Sequence, residues 1–318
     1  MRIAIVGAGG VGGLLAGLLA RSGVEVLVVA RGAALKAIRS SGVAVDSPLG
    51  KFTVRPAAAS DDPAALGAAD AVLVAVKAWQ VEGVAPGLAP LVAAGGFAVP
   101  LQNGVEAAGR LDAALGEERV VGGLTHMLAW TEGPGRVRHV GAVPRVTLGE
   151  RGARAGRPSA RLEALAGALR GAGVEVRIAE DVEAATWEKF LLIEPWGSVA
   201  AAARAPIGPL RSAAEARALL GTAMVEVVAL ARARGVSVAA GVKDSTLAWL
   251  DGLPPEATAS MQRDIGAGRP SELLDQTGAV VRLARAAGVP VPVHEALLAL
   301  LLPQERAARG ETPAFART

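Results

Sequence analysis

Between Arg2 and Arg21 lie eighteen residues without a charge, Ile3 to Ala20, and six of them are glycine: Gly7, Gly9, Gly10, Gly12, Gly13 and Gly17. A signal peptide or a spanning helix needs a long continuous apolar stretch. Glycine, however, weakens a helix interior by about 1 kcal/mol per position. The run is better accommodated as a strand over Arg2–Val6, a glycine turn, and a helix over about Val11–Ser22. Gly7-Ala8-Gly9-Gly10-Val11-Gly12 then reads as G-x-G-x-x-G in the context a dinucleotide site requires, after a strand and opening a helix. Gly7 permits the tight turn, Gly9 lets backbone approach a pyrophosphate, and Gly12 lets helix and sheet pack closely. The helix start offers unpaired N–H groups and a positive dipole end to the anion. A glycine-rich turn without a ligand is the competing reading.

The second strand, Val24–Val29, ends Val28-Val29-Ala30-Arg31. An NAD site places a carboxylate there for the ribose 2′-hydroxyl. A carboxylate would repel a 2′-phosphate, whereas a guanidinium binds it with paired hydrogen bonds. Arg31 therefore argues for NADP(H).

The pattern beyond this point alternates. Short helices are expected over Ala33–Ser40, Trp79–Leu88, Val105–Leu115 and Pro158–Arg170. Strands are expected at Phe52–Val54 (an edge), Ala71–Val76, Phe97–Val99, Arg119–Val121 and Val174–Ile178. Val137–Val140 and Arg145–Gly149 suggest an antiparallel pair. Buried apolar strands alternating with helices predict a parallel α/β sheet. After Glu180 only helical patterns remain: Val182–Ala203, Leu210–Arg234, Ser245–Leu250, Ser271–Ala287 and His294–Arg309. The expected organisation is a Rossmann-type domain over 1–180 followed by an all-helical domain over 181–318. At 318 residues the chain is long enough for two cores.

Composition narrows the function. With 52% hydrophobic residues and a net charge of +3, disorder is excluded. Cysteine is absent, so neither a disulfide framework nor a thiolate metal site is available. Aromatics are 3% and no block of basic residues occurs, which argues against nucleic-acid binding. No other segment competes as a membrane span, so a cytoplasmic protein is expected. The apolar helical half suits a homodimer face and a core equally.

Of 33 basic residues only five are lysine: Lys36, Lys51, Lys77, Lys189 and Lys243. Where arginine serves for positive charge, a lysine can mark a position that must release a proton, because guanidinium stays protonated while a partly buried ammonium does not. Lys77 follows the apolar strand at its carboxyl end, where open parallel sheets bind ligands. Lys189 lies in a helix read as otherwise apolar from Phe190 to Val199. A snorkelling lysine fits that position too. Lys36, Lys51 and Lys243 read as surface residues. Asn103, after the strand Phe97–Val99, suits either a helix cap or a cofactor contact. The three histidines, His126, His139 and His294, lack metal spacing; only His126, just after a strand, invites a functional reading, and a structural one serves it as well.

Taken together and in this order, the fingerprint, Arg31, Lys77-Ala-Trp-Gln80, Asn103-Gly104, Trp187-Glu-Lys189 and Ser260-Met-Gln-Arg-Asp-Ile265 followed by Glu272 resemble the ketopantoate reductase (2-dehydropantoate 2-reductase) family over about residues 1–310. The resemblance implies NADPH-dependent reduction of a 2-oxo acid on the way to pantothenate and coenzyme A, in a cleft between a Rossmann and a helical domain. It implies that Lys189 is the catalytic lysine and that Glu272 serves both the active site and the cofactor ribose. It further implies that Ser260 binds substrate, that Lys77, Asn103 and Arg31 contact cofactor, and that Leu128 falls where backbone meets cofactor. The sequence also departs from the family: Ile193, Gly197, Ile207 and Ala257 stand where the family has substrate-contacting asparagines. Loss of such groups alters specificity strongly. Ser198 is the candidate to compensate. The readings carried forward are a ketopantoate reductase, a related dehydrogenase for a more apolar oxo acid, and a non-catalytic NADPH-binding sensor.

Overall fold

A computed structural model describes residues 1–92, 95–157 and 159–312. The described residues form two compact units, one made of Met1–Gln102 and Ala107–Val182, the other of Asn103–Glu106 and the chain from Glu183 onward.

The first unit opens with β1 (Arg2–Val6), α1 (Gly10–Arg21), β2 (Glu25–Val29), α2 (Gly32–Ser41), β3 (Val43–Ser47), β4 (Gly50–Val54) and β5 (Ala58–Ser60). It continues through β6 (Ala71–Val74), α3 (Val81–Val84), β7 (Phe97–Pro100), α4 (Ala107–Leu115), β8 (Gly122–Gly133), β9 (Arg136–Gly149), α5 (Ala160–Gly171) and β10 (Glu175–Ile178). One sheet is wholly parallel, in the order β5-β2-β1-β6-β7. Its inner strands are buried on both faces, which explains their unbroken Val/Ile/Leu runs. From β1 the chain builds outward through β2 and β5, then returns to β6 on the other side. The carboxyl ends of β1 and β6 are therefore the switch point at which such sheets bind ligands.

A second, mixed sheet runs β10-β9-β3-β4, with β8 paired to β9. It accounts for the long uncharged N-terminal run. Helix α1 packs against β3, β8 and β9 as well as β1 and β2, so it is buried from Gly12 through Leu19. A helix enclosed in this way is apolar all round. Its glycines allow the approach: a Cβ on Gly13 would lie 2.6 Å from a Val137 methyl, and one on Gly17 2.5 Å from Val45. Among the described residues no helix is long and apolar enough to cross a membrane.

Several local expectations are corrected. The two strands expected at Val137–Val140 and Arg145–Gly149 are one 14-residue strand, β9, whose antiparallel partner is β8. Arg119–Val121 is not a ladder strand: a 3-10 turn covers Glu117–Arg119, and Val120 makes only an isolated bridge to Ala98. Trp79–Leu88 is broken into short helical pieces, with Pro86 and Gly87 in the last of them. The expected start at Pro158 lies outside the described residues, as do 313–318; α5 begins at Ala160, capped by the Ser159 hydroxyl.

In the second unit α6 (Val182–Ala203), α7 (Ile207–Ser212), α8 (Ala214–Ala233), α9 (Val242–Asp251), α10 (Ser260–Gly266), α11 (Thr277–Ala287) and α12 (Pro292–Ala308) follow one another. The single helix expected over Leu210–Arg234 is two, broken at the extended Ala213. Ser271–Gln276 precedes α11 as turns rather than as its first turns. Trp187, Phe190, Leu191, Met224, Val227, Leu230 and Val280 form the core.

Candidate active site

The fingerprint occupies the turn from β1 into α1. Gly7 has φ +100°, and its N–H donates to Val29 O at 2.9 Å. A Cβ on Gly12 would sit 1.9 Å from Gly7 O, so only glycine lets the helix begin there. At Gly10 a Cβ would lie 2.3 Å from Ala129 O of β8. This brings β8, and with it the exposed Leu128 beside a bulge, next to the start of α1. Around Gly9 nothing lies within 4 Å of a Cβ position, and Gly9 caps α1 without a side chain. The first turn of α1 thus has no side-chain cap and open space at Gly9, which suits a pyrophosphate. Ala8 and Val11 are half-buried against the core below.

Arg31 lies two residues past β2, at the N-cap of α2, and is exposed, and its side chain makes no hydrogen bond or ion pair among the described residues. No carboxylate occupies that position. Uncapped helix start, open glycine and unpaired guanidinium together fit an NADP dinucleotide. Lys77 is exposed past β6, its ammonium 5.7 Å from the Trp79 ring centre, while its N–H donates to Gln80 Oε1. Gln102, which sequence reasoning did not single out, ties β7 to β6: its Nε2 donates to Val74 O at 2.8 Å and to Val76 O at 3.0 Å.

The second unit gathers three of the expected residues. Lys189 Nζ donates to Asn103 Oδ1 at 2.9 Å, and Asn103 Nδ2 faces Glu272 Oε2 at 3.4 Å. Gln276 Nε2 meets the same oxygen at 3.4 Å. Asn103 arrives on the short Asn103–Glu106 segment, whose Gly104 turns at φ +106°. Lys189 is held by α6, where the buried Trp187 and Phe190 meet edge to face at 5.8 Å. Burial drives the Lys189 pKa down from its usual 10.5 to about 8, with the Glu272 charge opposing the fall. The result is an ammonium that is mostly protonated at neutral pH and able to give up its proton.

Other expected residues lie elsewhere. Ser260 is the exposed first residue of α10 and makes no hydrogen bond to Lys189, Asn103 or Glu272. Ser198 is fully buried, and its hydroxyl donates to Glu194 O and Pro195 O of its own helix, which runs unbroken through Pro195. Of the four departures, Ile207 and Gly197 are buried, Gly197 against Met261 and Ala259, while Ile193 and Ala257 keep partial exposure. His126 is exposed on β8, and His139 is buried against the Ser47 hydroxyl.

The stretch after Phe190 is not uniformly apolar as read. Glu194, wholly buried, accepts from Thr277 Oγ1 and faces His294 Nε2, whose Nδ1 meets Glu226. That cluster joins residues up to 100 positions apart, and the one signal for it in the sequence was an acid in a buried run.

A parallel sheet with an open glycine turn, joined to a helical unit carrying a lysine of lowered pKa, defines a two-part nicotinamide-dependent dehydrogenase. Residues 3–152 match the family described as ketopantoate reductase PanE/ApbA, and residues 181–305 match its C-terminal counterpart. A 2-dehydropantoate 2-reductase of Mesorhizobium japonicum is 30% identical over 322 residues, covering 95% of this chain and 97% of that protein. The crystal structure of 2-dehydropantoate 2-reductase from Geobacter metallireducens is similar with a TM-score of 0.86 at 33% identity, covering 95% and 99%. That of a PanE/ApbA family ketopantoate reductase from Ralstonia eutropha gives 0.87 at 31%, covering 97% and 100%. The chain belongs to the ketopantoate reductase family, and it is an NADP-dependent oxidoreductase acting on a CH–OH group.

Proposed function

We propose that the protein reduces 2-dehydropantoate to pantoate, with Lys189 delivering the proton. The observation that carries this reading is the Lys189–Asn103 hydrogen bond beside Glu272, on an ammonium whose pKa has been brought to about 8. When bound, NADPH supplies a hydride to the carbonyl carbon. As charge grows on the carbonyl oxygen, Lys189 offers positive charge and then its proton. Asn103 Oδ1 accepts one ammonium hydrogen and so orients the other two. Glu272 keeps the ammonium form populated. Ser260, exposed at the head of α10, is proposed to bind the substrate carboxylate or hydroxyl. Gly7 to Gly12, Arg31, Lys77 and Leu128 are proposed to hold the cofactor, with Asn103 and Glu272 also reaching it. Residues 1–180 then serve the cofactor and 181–318 the substrate. NADPH oxidation in the presence of 2-dehydropantoate, with Lys189→Ala as control, tests the reading; undiminished turnover by the variant would remove Lys189 from the mechanism.

A second reading concerns the substrate. Ile193 lies one helical turn beyond Lys189 on the same face of α6 and is half-buried and apolar, and Ala257 is likewise partly exposed. These side chains favour a 2-oxo acid with a more apolar chain. A panel of 2-oxo acids with alkyl, aryl and hydroxylated side chains, ranked by kcat/KM, separates the two.

A further inference from the structure

We propose that Glu305, at the end of α12, is a positioning residue: it fixes the backbone that carries Glu272, and through Glu272 it sets the surroundings of the Lys189 ammonium. The inference rests on the proposed role of Lys189.

The Glu305 side chain has no exposure. A carboxylate so placed must be fully bonded. Its partners converge on the residue before Glu272. The Ser271 N–H donates to both Glu305 oxygens at 3.1 Å, and the Ser271 hydroxyl donates to Oε2 at 2.5 Å. One turn further along α12, Arg309 donates from Nε to Glu305 Oε1 at 2.7 Å and from Nη2 to Ser271 O at 3.0 Å. Ser271 Oγ also accepts the Leu273 N–H at 3.1 Å. Both peptide groups flanking Glu272 are therefore held: the one before it through Ser271 O and Arg309, the one after it through Leu273 N–H, Ser271 Oγ and Glu305. Leu273, fully buried, packs with Leu301 of the same helix and with Met261 and Ile265 of α10. The chain is pinned on both sides of Glu272, whose charge acts on Lys189.

Stability alone is a poor account of this arrangement. A buried ion pair contributes little net stability compared with apolar residues of the same volume; what these bonds fix is the backbone on both sides of Glu272.

The test reads the Lys189 amine directly. The whole protein is labelled with trace acetic anhydride across a range of pH, and peptide mass spectrometry gives a titration midpoint for each lysine, with Lys36, Lys51 and Lys243 as references in the same tube. The wild-type Lys189 midpoint is expected near 8. Glu272→Gln lowers it, and Glu305→Gln lowers it in the same direction by about half a unit, a roughly threefold change in labelling rate at fixed pH. The double variant shows no shift beyond that of Glu272→Gln, and the references stay put. Ser271→Ala, which removes a hydroxyl without burying a charge, gives a smaller shift of the same sign and serves where Glu305→Gln does not fold. A Lys189 midpoint unmoved in a folded variant, or a double variant whose shifts add, overturns the proposal. Failure of the functional reading would look different: Lys189→Ala would keep its turnover while the labelling shifts persisted.

Discussion

An ammonium is a useful acid only while it still holds its proton, and this sets the pH behaviour of Lys189. With its pKa lowered to about 8, the side chain carries at neutral pH, and lacks above pH 8, the proton that the proposed reduction would consume. We expect kcat for reduction to be level near pH 7 and to fall as pH rises through about 8. Lys189→Ala should lose about two decades of turnover or more, the usual scale for one acid–base group. Lys189→Arg should keep substrate affinity while losing the rate and the alkaline limb, because guanidinium does not release its proton in this range. Stopped-flow rates of NADPH oxidation at several pH values check all three. The lysine itself was legible in the sequence, since an arginine-rich chain keeps so few. Its partner was less so: Asn103 is 86 positions away, and in sequence it fitted a cap as well as a contact. Ser198 was misleading in the opposite way. A hydroxyl in a helix has its own carbonyls within reach, and no spacing rule shows which choice it makes.

At the level of elements, the glycine turn and the end of β2 make separable predictions. Gly12→Ala should destabilise the first unit and abolish dinucleotide binding together, because its Cβ would fall 1.9 Å from Gly7 O and displace the start of α1. Thermal melting with and without NADPH reads both effects. Arg31→Ala should leave the melting curve alone, since the side chain is exposed and makes no hydrogen bond or ion pair among the described residues. It should weaken NADPH binding by about tenfold, the scale of one charge-assisted hydrogen bond, and leave NADH binding unchanged. The parallel sheet was legible because strands buried on two faces become apolar runs, and fingerprint and strand end could be placed on it. The second sheet was not. In β8 and β9 the pairing shifts register between His126 and Leu128 and again between Thr131 and Gly133, so the period-two pattern is interrupted and one long hairpin reads as fragments. The Pro134-Gly135 turn that joins them, with Gly135 at φ +69°, was the available signal.

For the molecule as a whole, pH acts on stability mainly through the buried cluster in the helical unit. His294 lies between Glu194 and Glu226. Burial alone would lower its pKa, but the two carboxylates outweigh burial and raise it from 6.5 to about 9. A histidine whose folded pKa exceeds its unfolded value contributes stability that is complete below about pH 6.5 and is lost as pH rises toward 9. Lys189 has the opposite sign: its folded pKa lies below 10.5, so its contribution rises with pH, but only above about 8. His139, whose pKa burial lowers, acts below 6.5. The interval from pH 6.5 to 8 therefore isolates His294. Across it the unfolding free energy should fall by about 2 kcal/mol, at about 1.4 kcal/mol per pH unit for one proton. Glu194→Gln removes the stronger of the two carboxylate interactions with His294 and should flatten that slope. His294→Leu should be worse than either at every pH, because it leaves two buried carboxylates facing each other without a cation, a loss of about 3–5 kcal/mol. Urea unfolding followed by circular dichroism at pH 6.5, 7.25 and 8 measures the slope, and a wild-type curve that is flat or rising over that interval would show that His294 is neutral in the folded protein.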